Sequence, residues 1–141
     1  MKKFISLFAA LCLLLPLSLG AQEEAQTSKI NKKNLVIKEW NSGPKGTDKS
    51  LDHVTTFSPE GRKIEEIEYN SDGQKWRKRF EHDAAGRVSI EYTYDNRNRL
   101  FSYKKFEYNE FGRKKVQYTY NPKGKLIGIK HYEYIAQDSG R

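Results

Sequence analysis

The sequence predicts an all-β protein: an antiparallel up-and-down meander of about eight strands, a curled sheet or partly open barrel, preceded by a cleaved signal peptide. Three observations predict it. A turn signal recurs six times between Phe57 and Tyr134, at Gly61, Gly73, Gly86, Asn98, Gly112 and Gly124, with spacings of 12, 13, 12, 14 and 12 residues. Such a period is the mark of a repeated strand-turn unit. Apolar and polar residues alternate between the turns, the two-residue period of a strand. No stretch after the signal region carries the period of an amphipathic helix.

The elements follow in order. Lys2 and Lys3, the apolar run Phe4 to Leu15, and the small-residue stretch Ser18-Leu19-Gly20-Ala21 form the three parts of a secretory signal over residues 1–21. Pro16 interrupts the apolar run short of the ~20 residues a bilayer requires, so no integral membrane segment is expected in the mature chain. Cleavage after Gly20 and after Ala21 both fit. Cys12 is apolar filler of that run, and the mature chain is left without cysteine, which suits an exported bacterial protein. Residues 22–33 are polar and aperiodic and read as a flexible leader. Residues 34–135 form one β-meander domain, and 136–141 a disordered tail.

Within the domain, Leu35 to Trp40 and Leu51 to Phe57 are the first strand candidates, joined by a Gly, Pro, Lys, Asp and Ser-rich loop. The repeat then reads Phe57-Ser-Pro-Glu-Gly-Arg62, Tyr69-Asn-Ser-Asp-Gly-Gln74, His82-Asp-Ala-Ala-Gly-Arg87, Tyr94-Asp-Asn-Arg-Asn-Arg99, Tyr108-Asn-Glu-Phe-Gly-Arg113 and Tyr120-Asn-Pro-Lys-Gly-Lys125. Pro59 and Pro122 suit the second position of a type I turn, and the glycine two places on suits the left-handed residue that completes a bulged hairpin. Bulges are expected near Ile64 and within Leu100 to Lys105. Alternation assigns Ile67, Tyr69, Trp76, Phe80, His82, Val88, Ile90, Tyr92, Tyr94, Phe106, Tyr108, Val116, Tyr118, Tyr120, Tyr132 and Tyr134 to one aromatic face. The opposite face is charged, and the sheet is expected to curl around its aromatics.

The pattern Tyr/Phe-x-x-x-Gly-Arg, fullest at Phe80-Glu-His-Asp-Ala-Ala-Gly-Arg87 and Tyr92-Thr-Tyr94-Asp95, resembles the tyrosine-aspartate repeats of RHS-type bacterial surface and toxin-shell proteins. The likeness covers residues 57–134, with Asn in most copies where that family prefers Asp. It implies a strand-turn scaffold and transfers no catalytic residue. The plan of a signal and about 120 tyrosine-rich residues is also similar to small exported proteins of Bacteroidales.

Composition narrows the function. Without Lys2 and Lys3, 24 basic residues stand against 18 acidic ones, a net charge of +6 that outside the cytoplasm favours anionic glycans or an envelope surface over nucleic acid. His53-adjacent Asp52 and His82-adjacent Asp83 are strand neighbours pointing to opposite faces, so neither makes a catalytic dyad. No cofactor, metal site or catalytic residue is expected. A cluster of Lys75, Arg77, Arg79 and Lys105 with the apolar residues Phe101, Tyr103, Ile127 and Ile129 lies by alternation on the charged face and is the candidate binding site. If the aromatic face is open, Trp76, Tyr92, Tyr94, Tyr118 and Tyr120 form a platform for sugar rings. The expectation is an exported, non-enzymatic binding or scaffold protein of the bacterial cell envelope (periplasm, outer-membrane surface or extracellular), contacting glycans or an envelope protein, with a homodimer as a further partner. The alternative is a small hydrolase or lipid carrier using a concave face.

Overall fold

The computed structural model describes residues 30–137, and the signal segment 1–21, leader residues 22–29 and the last four residues lie outside them. Eight strands follow one another: β1 (Val36–Ser42), β2 (Lys49–Phe57), β3 (Lys63–Asn70), β4 (Gly73–His82), β5 (Val88–Tyr94), β6 (Leu100–Tyr108), β7 (Lys114–Tyr120) and β8 (Leu126–His131). They form one antiparallel sheet in sequence order. It does not close, for each strand touches only its sequence neighbours and β1 and β8 are both edges.

The turns explain why this sequence folds so. Five of them share one construction. The side chain of the residue after the strand aromatic accepts from the backbone N–H two or four residues on: Ser58, Asp83, Asp95, Asn109 and Asn121 all do so. Its carbonyl accepts from the left-handed residue, as Asp83 does from Gly86 (φ 81°) and Asp95 from Asn98 (φ 58°). Short polar side chains compete well for such local donors, and glycine adopts this φ without steric cost. In the two aspartate copies the following arginine closes a second bond, Arg87 Nε to Asp83 Oδ2 and Arg99 Nε to Asp95 Oδ2, each 2.8 Å.

These bonds favour the ionised carboxylate. Backbone N–H donation, followed by the arginine side chain, holds Asp83 and Asp95 below the usual 3.8. A depressed carboxyl contributes stability above its unfolded value and loses it as pH falls through its folded one. The protein should therefore lose stability on acidification below about pH 4, and Asp83→Asn with Asp95→Asn should flatten that limb, as followed by circular dichroism.

One residue is inserted at every strand pair. The partners jump past Asp52, Ile64, Lys75, Ser89, Phe101, Lys115 and Ile127, always in the second strand of the pair. The bulges expected near Ile64 and within Leu100 to Lys105 are two of seven, one at every strand pair. They overturn the assignment of a single aromatic face. Phe80 lies opposite Glu91 and Tyr92 opposite Arg79, so aromatics on β4 and on β5 point to opposite sides. The first face carries Ile67, Tyr69, Ile90, Tyr92, Tyr94, Tyr103, Val116, Tyr118 and Tyr120 with Arg77, Arg79 and Lys105. The second carries His53, Trp76, Phe80, Phe106, Tyr108 and Tyr132 with Lys63, Lys78, Lys104 and Lys114.

Both faces therefore mix rings with charges, and no purely aromatic side remains to be hidden. Among the described residues only Phe106, on the second face, and Val116, on the first, count as buried apolar side chains. Cross-strand pairs replace a core. Lys114 sits 4.1 Å from the Phe106 ring centre, Arg77 4.6 Å from Tyr94, and Lys63 4.9 Å from Phe80. Cations over rings contribute roughly 0.5–1 kcal/mol each at exposed sites. The arginine after a turn glycine also reaches the aromatic two strands on, Arg87 over Tyr108 at 4.7 Å and Arg113 over Tyr134 at 5.3 Å. The structural repeat is thus the hairpin, and its stacking is one-dimensional.

Candidate functional site

The first face carries a cross-strand row. Partner by partner it runs Glu65, Arg79, Tyr92, Tyr103, Tyr120 and Leu126. The rings of Tyr103 and Tyr120 are stacked at 4.9 Å and 8°, while Tyr92 stands 6.0 Å from Tyr103 at 36°. Side chains stand up from the pleat on β4 to β7, so the row is about 14 Å long at ~4.8 Å per strand. Stacking turns the ring faces of Tyr103 and Tyr120 toward each other, which leaves edges and hydroxyls toward solvent. A flat sugar platform made of ring faces is not what this row presents.

Beside it runs a second row, Glu81, Ile90, Lys105, Tyr118 and Ile129. Lys105 lies 5.5 Å from the Tyr120 ring centre. The Tyr118 hydroxyl is raised above its usual 10 chiefly by hydrogen bonding to Glu107, and that of Tyr92 by burial, with Glu81 as the next cause. Burial at Tyr92 and the Glu107 hydrogen bond at Tyr118 thus favour the neutral phenol at each. Shallow depressions lie along the rows, about 150 Å³ beside Arg79, Glu81, Tyr92 and Tyr94, and about 460 Å³ beside Ile90, Lys105, Tyr118 and Tyr120. The larger one is open to solvent and the smaller one more enclosed.

Five of the sequence-predicted residues meet here: Arg77, Arg79, Tyr103, Lys105 and Ile129. Arg77 leans over Tyr94 and reaches Glu65 at 3.5 Å, and its buried Nε has no partner. Lys75 does not join them. It occupies the bulge on the second face and pairs with Glu68 at 2.6 Å. Phe101 and Ile127 also occupy bulge positions, 67% and 59% exposed, because an inserted residue has no cross-strand partner to cover it. Their exposure follows from the backbone. Trp76 is separated from Tyr92, Tyr94, Tyr118 and Tyr120 by the sheet itself, which corrects the five-ring platform.

Tyr92 and Tyr120, expected beside Trp76 on a ring platform, stand instead with Arg79 and Lys105, and the sequence pattern did not single out Glu81 and Glu107 for this site. The Tyr92-Thr93-Tyr94 and Tyr118-Thr119-Tyr120 alternation was the available signal, but register alone says what stands beside them.

The second face is internally paired. His53 Nε2 meets Glu66 at 3.0 Å and stands edge-on to Trp76. Lys63 reaches Glu66 at 3.2 Å, and Lys78 and Lys104 share Glu91 at 3.8 and 3.4 Å. Burial, then the nearby Arg62 charge, lowers His82 below its usual 6.5, against the pull of Asp83. Among the described residues no group of three or more His, Cys, Asp or Glu could hold a metal ion. By contrast Arg79 and Lys105, both exposed, form no ion pair among the described residues. The first face thus offers phenols and carboxylates as hydrogen-bonding groups beside two cations without an ion-pair partner among the described residues.

No family profile and no curated protein sequence matches the chain. Among solved structures it is similar to a chain of the crystal structure of a GtfA/B complex bound to UDP and GlcNAc, at 15% identity and a TM-score of 0.32. The match covers 67% of this chain and 19% of the other. No helix among the described residues is long and apolar enough to cross a membrane.

Proposed function

We propose that this chain is an exported, non-enzymatic binding and scaffold module of the bacterial cell envelope that lays a glycan carrying isolated carboxylates along the first face. The observation that carries the reading is the row Arg79-Tyr92-Tyr103-Tyr120 with Lys105 beside it: uncommitted cations next to a line of hydroxyl-bearing ring edges. The neighbouring Glu81 and Glu107 weigh against a simple polyanion sink. They supply acceptors for sugar hydroxyls, so charge and hydrogen bonding act together. The open depression beside Lys105 and Tyr118 suits a polymer better than the enclosed site that a lipid carrier or small hydrolase uses.

The test is binding of residues 22–141 to neutral and acidic polysaccharides, at low salt and at ~0.5 M salt, where charge attraction is screened within a few ångströms. Selected acidic glycans should bind at both, more weakly at high salt. Arg79→Ala and Lys105→Ala should each cost about two- to fivefold in affinity, the worth of an exposed charged contact. Binding that vanishes with salt, or that neutral glycans match, would overturn the acidic-glycan reading. Uptake of a fluorescent fatty acid would favour the carrier.

A further inference from the structure

The two edges of the sheet fit each other. β1 and β8 run antiparallel, and each leaves one row of backbone groups unpaired along its outer side. On β1, Leu35 turns its carbonyl inward to Phe57 N–H, so Val36, Lys38 and Trp40 point their N–H and C=O groups outward. On β8, Tyr132 N–H turns inward to the Lys115 carbonyl, so Ile129 and His131 point theirs outward. All five of these residues lie on the first face, so a β8 edge can dock on the β1 edge of another copy with both the hydrogen-bond pattern and the two faces in phase.

We infer that copies of this chain associate head to tail, β8 of one on β1 of the next, continuing the meander across the junction. The register is set by charge. Placing Ile129 opposite Trp40 brings Lys130 opposite Glu39 on the second face and Tyr132 opposite Ile37. Neither Lys130 nor Glu39 forms an ion pair among the described residues, and Lys130 lies 5.7 Å from the Tyr132 ring centre. Sliding the strands by two residues leaves Lys130 opposite Ile37 or Asn41 and separates the pair. The same register buries apolar area that the monomer exposes, for Trp40 is 54% and Ile129 52% exposed. β8 lacks the proline that would blunt a free edge, and its one lysine, Lys130, the residue type that usually protects an edge, meets an opposite charge in this register. The contact is heterologous, so it grows open assemblies or closes a ring, in place of stopping at a symmetric pair.

Sedimentation velocity of the exported chain across a concentration series, with Glu39→Lys, Lys130→Glu and the combined swap, tests this. Species larger than a dimer should grow with concentration, each single reversal should raise the concentration of half-association about tenfold, and the double reversal should restore it. Ile129→Pro removes an outward N–H only and should block growth while the monomer keeps its circular dichroism. A chain that stays monomeric throughout would overturn the inference. So would a dimer that stops at two and is indifferent to Glu39→Lys, which would point to pairing of two β8 edges or of two faces.

Discussion

Phe106→Ala should destabilise the protein by about 3 kcal/mol, the lower end of what truncating a buried phenylalanine costs. In a sheet where only Phe106 and Val116 are buried apolar side chains among the described residues, that is a large part of a marginal total. Phe106 is 9% exposed although it stands on the second face of an open sheet, because long side chains such as Lys114 lie over it. The lysine stem excludes water while its ammonium meets the ring face. Phe106→Leu should recover much of the loss. Lys114→Ala should cost about 0.5–1 kcal/mol, through lost cover and the lost cation contact. Urea titration of the three variants gives the comparison, and a Phe106→Ala midpoint equal to that of the parent would show that the sheet does not depend on its buried ring.

Tyr103→Ala should come next, at about 2–4 kcal/mol. Tyr103 is the middle ring of the first-face row, with Tyr120 stacked on one side and Tyr92 on the other. Its removal deletes both aromatic contacts, each worth about 0.5–1.5 kcal/mol beyond buried area. Tyr103→Phe keeps the stack and should be nearly neutral for stability while weakening the proposed glycan contact. That split separates the ring's structural role from the binding role proposed for the hydroxyl. Equal loss of stability in both variants would contradict the stacking account.

The repeat was legible because its chemistry is local. A side-chain acceptor after the strand, a left-handed residue three places on and a basic residue after that occupy five residues, and Asp95 to Arg99 contains the whole device. Strand number and order follow from those turns. The faces were not legible, because they depend on register between strands, and register depends on the bulge beside each turn. Ser89 inserted opposite the Glu81–His82 step is enough to move Val88 and Tyr92 to opposite sides of the sheet. The same cause misplaced Phe101, Ile127 and Lys75, all inserted residues, while Arg77, Arg79, Tyr103, Lys105 and Ile129 lie in regular ladder positions and do assemble. Residue type pointed to a binding surface. Only the pairing says which cations are already spent: Lys75 on Glu68 and Lys104 on Glu91, with Arg79 and Lys105 unspent.

The most direct test of this two-faced account is an amide and side-chain NMR titration with an acidic oligosaccharide selected from the polysaccharide screen. The account predicts saturable shifts confined to Arg79, Tyr92, Tyr103, Lys105 and Tyr120, with Trp76, Phe80 and Phe106 unmoved behind the sheet. Shifts centred on the second face, or spread over both without saturation, would contradict it.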